Sequence, residues 1–291
     1  MKQRLLAATL LAAAGASVAA AFVAHAGAAR VADVLGRMGW GIAAAVVLEG
    51  ARVVCETAGT RALHGTPRLP LRALARAQLA GYAVCYLLPA GRTVAEAVKA
   101  AMLARHAGRE RVVGVALANQ AMALVAVAIA SGLCAAGATG RLAALLAAHA
   151  AVTGATGLAI LATAWRRMPA AGKRAALAGM LASRACQAGA LAALLRAAAP
   201  GARPLDAVVL WGLHLVGASL GDVVPAQLGI ADAALGLGAA SAHLDVAAAL
   251  AVASAARAAQ LVWVCVGAAV ACGMSSRQTT LGMLARGAGG Q

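Results

Sequence analysis

Residues 112–138 read VVGVALANQAMALVAVAIASGLCAAGA and contain no charged side chain. A helix rises about 1.5 Å per residue and the hydrocarbon core of a bilayer is about 30 Å thick, so this run is long enough to cross it. Further apolar runs of sufficient length occupy 38–57, 142–165, 175–199 and 246–272. The sequence therefore predicts an all-α, polytopic integral membrane protein with a single transmembrane domain over 1–291.

The composition supports a membrane location. Of the 291 residues, 63% are hydrophobic and 12% are charged, whereas a soluble domain is about half apolar and a quarter charged. This excludes an ordinary soluble enzyme, a disordered chain and a disulfide scaffold. The net charge of +16 resides on basic residues that punctuate the apolar runs, so it indicates topology and contact with anionic lipid rather than nucleic acid. Because no metal-binding or nucleotide-binding motif is present, we expect no metal and no cofactor.

The N-terminus allows two interpretations. Lys2 and Arg4 precede an apolar run that ends at Ala24-His25-Ala26, which is typical of a cleaved secretory signal. The run is also long enough to be retained as the first transmembrane helix. We expect a retained first helix, with the cleaved signal as the alternative.

Two apolar stretches, 77–88 and 207–224, are too short or too interrupted to read as crossings, and a short stretch at 226–240 follows the second. If 77–88 crossed the bilayer, a block of five basic residues would lie outside, contrary to the positive-inside rule. These residues are Arg92, Lys99, Arg105, Arg109 and Arg111. The charges therefore favour six crossings plus two re-entrant helical hairpins, with both termini in the cytoplasm of a bacterial-type inner membrane. A bundle of eight crossing helices is the alternative.

Two proline-interrupted segments match each other. The first is Pro89-Ala-Gly-Arg-Thr-Val-Ala-Glu96-Ala97, and the second is Pro225-Ala-Gln-Leu-Gly-Ile-Ala-Asp232-Ala233. Both follow Pro-Ala-x-x-x-[Val/Ile]-Ala-[acid]-Ala, and the topology above makes them enter from opposite sides. This predicts an inverted-topology repeat with halves 38–138 and 142–272. Two unrelated helix–loop–helix turns are the alternative.

The helix breaks in these segments have a chemical consequence. Proline removes a backbone donor and ends a helix, and the N–H groups freed after a break favour an anion such as a phosphate. Irregular backbone at membrane depth survives only where protein or a water-filled cavity covers it. The predicted break residues are Pro89, Gly91, Pro225 and Gly229.

At these residues the sequence resembles the membrane domain of lysylphosphatidylglycerol synthases and its stand-alone, flippase-like relatives, which include hopanoid-associated members. The family's first motif, a Pro-x-Arg-x-Gly-Glu type turn, is matched by Leu88-Pro89-Ala90-Gly91-Arg92 and then Glu96. Its second motif, Pro-Gly-x-x-Gly-x-x-Glu-Ala followed by a helix with an Arg, is matched by Pro225-Ala-Gln-Leu-Gly229-Ile-Ala-Asp232-Ala and then Arg257. Here Ala226 replaces a Gly and Asp232 replaces the Glu. The aminoacyl-transferase domain of the bifunctional synthases has no counterpart in these residues, so the resemblance implies lipid handling or translocation, not lysyl transfer.

Ionisable residues inside the apolar runs are the candidate substrate contacts, because an unpaired charge at bilayer depth costs roughly 2.5–3.5 kcal/mol or more. The arginines would attract a lipid phosphate, and the acids would position the arginines or carry protons. Structural ion pairs are the alternative. The candidates are Arg52, Glu49, Arg92, Glu96, Asp232 and Arg257.

The basic stretch 92–111 has basic side chains among small apolar ones. We expect it to lie on anionic lipid as an amphipathic helix. A solvated loop that only sets topology is the alternative.

The sequence thus predicts an inner-membrane lipid transporter or flippase-like protein for an anionic amphipathic lipid, either a phospholipid or a polyprenyl or hopanoid-type lipid. The expected partners are membrane lipids and, in one interpretation, a lipid-biosynthesis enzyme. The alternatives are a non-catalytic membrane subunit of a lipid or hopanoid biosynthesis system and an intramembrane lipid-modifying transferase. The nine acids form no D-x-x-D pair, which weighs against the transferase.

Overall fold

The structure is a computed structural model that describes residues 13, 16, 17, 20, 21, 23–65, 69–164, 170–222, 224, 227 and 229–287, with side chains omitted at 170, 171 and beyond 272. Within these residues every regular element is helical, which confirms the all-α class. The helices are α1 (Ala28–Arg37), α2 (Gly39–His64), α3 (Leu71–Leu87), α4 (Gly91–Ala107), α5 (Arg109–Gly137), α6 (Gly140–Ala164), α7 (Ala170–Ala198), α8 (Pro204–Gly221), α9 (Ile230–Gly238), a 3-10 turn (Ala239–Ala242) and α10 (Val246–Gly287).

Several of these helices are long and apolar enough to cross a membrane. In the described part of the chain there are five, or six if α1 and α2, which are bent by 73°, count as one span. This agrees with a polytopic membrane protein. The five are Arg109–Gly137, Gly140–Ala164, Gly172–Ala198, Pro204–Gly221 and Val246–Cys272. They include α8, which the charge pattern assigned to a re-entrant segment.

α2 and α7 pack along each other through small residues. A Cβ atom built on Gly179 of α7 would lie 2.8 Å from the Cys55 carbonyl oxygen and 3.0 Å from the Gly59 Cα atom. A Cβ atom on Gly41, at the other end of α2, would lie 2.7 Å from the Cβ of Ala197. Small residues let two backbones approach closely where lipid supplies no hydrophobic force between helices. The beginning of α2 therefore lies beside the end of α7.

This close approach gives a test of the packing. The Gly179→Ala variant should lower the unfolding temperature of the detergent-purified protein, because overpacking costs about 1–3 kcal/mol. Gly132 of α5 is the matched control, since nothing lies within 4 Å of a Cβ built there. Gly132→Ala should be neutral or stabilising, because Ala is favoured over Gly in a helix by about 1 kcal/mol. Equal unfolding temperatures for the two variants would contradict the packing.

Two helix–break–helix hairpins begin at opposite ends of the molecule. The α3–α4 hairpin follows the end of α2 and leads into α5, and there the guanidinium of Arg111 donates to the carbonyl of His64. The α8–α9 hairpin follows the end of α7 and leads into α10. At that end Arg30 of α1 lies 3.6 Å from Asp245.

The tips of the two hairpins touch. The backbone N–H of Ala90, between α3 and α4, donates to the carbonyl of Asp222, at the end of α8, over 2.8 Å. Ala90 and Gln227 adopt positive φ angles of 53° and 54°. Both breaks therefore contain left-handed backbone.

Two of the predicted break residues, Gly91 and Gly229, stand at the starts of helices. α3 ends before Pro89 and α4 begins at Gly91, where a Cβ would lie only 1.9 Å from the Cys85 carbonyl oxygen. Gly229, with a φ of 77°, immediately precedes α9. Pro225 lies outside the described residues. The inverted repeat, its halves and the re-entrant course of the hairpins stay predictions.

The expectation for 92–111 is wrong. α4 packs against α3 and α5, and Ala95, Lys99 and Leu103 are buried. Lys99 enters the interior because it pairs with Glu96 and donates to the side-chain oxygen of Gln78. The bounds of α2 also differ from the sequence prediction, since this helix continues past 57 to His64. Gly65, with a φ of 57°, caps its end.

Candidate functional site

A cavity of about 210 Å³ lies where the hairpin tips meet. Helices α2 to α8 all contribute to its lining. Apolar residues of α5, α7 and α8, such as Leu124, Met180 and Leu215, form part of the wall. The charged lining residues are Arg52, Glu56, Arg92, Glu96, Lys99, Arg184 and Asp222.

Glu56 joins three helices at this cavity. Its carboxylate accepts hydrogen bonds from the Gln78 amide of α3 at 3.0 Å, the Ser183 hydroxyl of α7 at 2.9 Å and the Arg184 guanidinium of α7 at 3.2 Å. Arg184 also donates to the side-chain oxygen of Gln187, at 3.0 Å. A carboxylate that accepts several donors and faces an arginine is stabilised in its charged form.

The hydrogen bonds continue from Gln78 into α4 and α5. Lys99 donates to the Gln78 oxygen at 3.2 Å and pairs with Glu96. Glu96 accepts from the Asn119 amide at 2.7 Å, and the Thr60 hydroxyl donates to the Asn119 oxygen at 3.2 Å. The network therefore returns to α2 and closes around the cavity.

Arg52 is held by a local pair and by two tyrosines. Its Nε atom lies 2.9 Å from the carboxylate of Glu49, and its Nη2 atom donates to the Tyr86 hydroxyl at 3.2 Å. The guanidinium carbon lies 5.2 Å from the ring centroid of Tyr82, whose hydroxyl donates to Glu49 at 3.0 Å. Arg52 lines the cavity, while Glu49 supports it from outside the lining.

Asp232 and Arg257 form an ion pair away from the cavity lining. Both carboxylate oxygens of Asp232 accept from Arg257 Nη2, at 2.9 and 2.7 Å, and one of them also accepts the N–H of Gly229 at 3.0 Å. The pair fastens α9 to α10. This geometry suits the structural alternative named for these residues, and their part in substrate binding stays a prediction.

The structure thus brings three of the six candidates, Arg52, Arg92 and Glu96, to one cavity. Four charged lining residues were not among the candidates. They are Glu56, Lys99, Arg184 and Asp222. Asp222 had a local signal, since it stands three positions before the proline of the second break.

His149 of α6 contacts hydroxyl groups of two neighbouring helices beside the cavity. The Nδ1 atom of His149 lies 2.9 Å from the Ser131 hydroxyl of α5, and its Nε2 atom lies 3.0 Å from the Ser219 hydroxyl of α8. Ser219 and Thr153 line the cavity here. The three-helix bridge fixes α6 beside the cavity.

Arg92 differs from the other cations of the cavity. Arg52, Lys99 and Arg184 each pair with a carboxylate. All nine acids belong to the described residues, and within this part of the chain no carboxylate lies within 4 Å of Arg92. The cavity therefore contains one guanidinium that protein carboxylates do not neutralise.

Comparison with known proteins finds no matching family model, no similar curated protein and no similar solved structure. The resemblance to the membrane domain of lysylphosphatidylglycerol synthases therefore stays a prediction from the motif residues.

Glu56 provides a test of the network. In the Glu56→Gln variant the buried Arg184, with 5% of its side chain exposed, loses its carboxylate. Breaking a buried ion pair by removing one partner costs about 3–5 kcal/mol, so we expect a clearly lower unfolding temperature in detergent.

Two further variants control this experiment. Asp33→Asn breaks an exposed pair with Arg37, which is worth about 1 kcal/mol at most. The double variant Glu56→Gln/Arg184→Gln should recover part of the lost stability, because no charge then stays unpaired. A Glu56→Gln protein as stable as the Asp33→Asn protein would disprove the role of Glu56.

Proposed function

We propose that this protein is a lipid transporter or flippase-like protein of a bacterial-type inner membrane, and that its central cavity receives the anionic headgroup of an amphipathic lipid. The observation that carries the proposal is the unpaired guanidinium of Arg92 in a cavity whose other cations are all paired. Arg92 is half-buried. A charge partly withdrawn from water is stabilised by an opposite charge, and a lipid phosphate supplies that partner.

The position of Arg92 strengthens the case for an anion. Arg92 is the second residue of α4, so it lies beside the backbone N–H groups of the first turn. These groups have partial positive charge and favour a phosphate. A guanidinium also matches the geometry of phosphate oxygens, with two parallel hydrogen bonds.

The lining of the cavity suits an amphipathic molecule rather than a free ion. Charged and amide side chains from every lining helix except α6 form one part of the lining. Apolar side chains of α5, α7 and α8 form another part, among them Leu124, Met180 and Leu215. A headgroup would contact the first part, and the glycerol or chain region would contact the second. Of the helices that line the cavity, α5, α6, α7 and α8 are each long and apolar enough to cross a membrane.

The hairpins support a transport cycle. They start from opposite ends of the molecule and touch through Ala90 and Asp222. In the topology we propose, α3–α4 is a re-entrant hairpin from the cytoplasmic side, α8–α9 is one from the outer side, and both termini are cytoplasmic. Inverted repeats with a site between broken helices provide access from either side in turn.

The Arg92→Gln variant tests the proposal. In liposomes that contain fluorescent phosphatidylglycerol or, in a separate preparation, fluorescent phosphatidylethanolamine, we expect the wild type to move label between leaflets. Arg92→Gln should slow this movement at least about tenfold, because a charged hydrogen bond contributes about 1.5–3 kcal/mol. The measurement is the fraction of label accessible to an external quencher over time.

Arg105→Gln is the matched control, since Arg105 lies on the same helix but is exposed. It should behave as the wild type. Equal rates for Arg92→Gln and the wild type would remove Arg92 from the site. Failure of the wild type to move either lipid, together with stable co-purification of a lipid-biosynthesis enzyme, would favour the non-catalytic subunit.

A further inference from the structure

We infer that the headgroup bound in this cavity is zwitterionic, with its phosphate at Arg92 and an ammonium group at Asp222. The inference rests on the proposed function and keeps its lipid phosphate at Arg92. It replaces the anionic headgroup proposed there with one whose phosphate is balanced by an ammonium group. It starts from a second unpaired charge in the same cavity, of opposite sign to Arg92.

Most of the acidic side chains have a basic partner. Seven of the nine lie within 4 Å of a basic side chain. The two others are Glu110, which is exposed near the start of α5, and Asp222, which lines the cavity. Among the described residues, Asp222 is therefore the one cavity acid without a cation.

Each of the two unpaired charges lies at a helix end whose partial charge has the same sign. Asp222 caps the C-terminal end of α8, where the helix dipole favours a cation. Arg92 lies in the first turn of α4, where the dipole favours an anion. Each side chain therefore adds to the partial charge of its helix end instead of compensating it. The result is a negative pole at the end of α8 and a positive pole at the start of α4.

The two poles are neighbours. The hydrogen bond from the Ala90 N–H to the Asp222 carbonyl joins the two helix ends, and Arg92 is two residues from it. The side chains of Arg92 and Asp222 nevertheless do not form an ion pair within 4 Å. Cys85 lines the cavity together with both. This arrangement matches a headgroup whose phosphate and ammonium are joined by a short linker.

A further cavity residue has an unused acceptor. The side-chain oxygen of Gln120 in α5 is buried and has no hydrogen-bond partner within the described residues. An ammonium or hydroxyl group of a ligand can donate to such an oxygen, whereas a phosphate oxygen cannot. The cavity thus offers acceptors as well as a free cation.

The same arrangement discriminates against a purely anionic headgroup. Such a headgroup could bind Arg92 but would leave the carboxylate of Asp222 next to its negative charge. Repulsion between two negative charges weakens the binding of the anionic headgroup relative to the zwitterionic one. Selectivity for the zwitterion should therefore depend on Asp222, while headgroup binding itself should depend on Arg92.

Mass spectrometry of bound lipid tests this inference. Protein is equilibrated in mixed micelles with equal amounts of phosphatidylethanolamine and phosphatidylglycerol, repurified, and its retained lipids are quantified. We expect the wild type to retain at least fivefold more phosphatidylethanolamine than phosphatidylglycerol. This preference corresponds to a difference of about 1 kcal/mol in binding free energy. Asp222→Asn should bring the ratio close to one, and Arg92→Gln should lose both lipids.

A control variant and the pattern of retained lipids separate the proposed function from this inference. Glu110→Gln removes the other unpaired acid, which is exposed, and should keep the wild-type ratio. Retention of neither lipid by the wild type would overturn the proposed function. Retention of both with equal preference, or an unchanged ratio in a folded Asp222→Asn protein, would overturn the zwitterionic headgroup alone. The wild-type ratio decides the matter even if Asp222→Asn does not fold.

Discussion

A carboxylate inside an apolar protein has to be compensated, and the architecture around the cavity follows from how Glu56 meets this constraint. Glu56 belongs to α2, but its donors Gln78, Ser183 and Arg184 belong to α3 and α7. The three helices must keep one register for all of these hydrogen bonds to form. Through Gln78 the same network reaches Lys99, and so it fixes α4 as well.

The two helix breaks place polar backbone groups beside the cavity. A continuous helix satisfies its own backbone groups, whereas a break exposes N–H and C=O groups that need other partners. Here some of these groups satisfy each other, since Ala90 donates to Asp222 across the two hairpin tips. The charges of Arg92 and Asp222 stand on either side of that contact. This part of the cavity wall is thus formed by two interrupted helices, and neither hairpin could form it alone.

Local features of the fold could be predicted from the sequence, and distant pairings could not. The all-α class follows from the length of the apolar runs, and the first break follows from Pro89 and Gly91, because both act on their own backbone. The spacing i, i+3, i+7 puts Glu49, Arg52 and Glu56 on one face of a helix, but only the first two pair with each other. Arg184, which pairs with Glu56, lies 128 residues away in the sequence. Helical spacing relates only residues of the same helix, so it could not predict this pair. α4 was assigned to the membrane surface for a related reason, since the acceptor of Lys99 on α3 is a tertiary contact.

The long separation between Glu56 and Arg184 has a consequence for biosynthesis. Glu49 and Arg52 are neighbours on one helix and can neutralise each other as soon as α2 leaves the ribosome. Glu56 has to wait for the 128 residues that separate it from Arg184, which takes roughly 6–26 s at a synthesis rate of about 5–20 residues per second. For that interval α2 holds a carboxylate without its arginine. The contacts of Glu56 are therefore complete only after α7 has been synthesised. The N-terminal half of the protein reaches its final packing only after much of the C-terminal half exists.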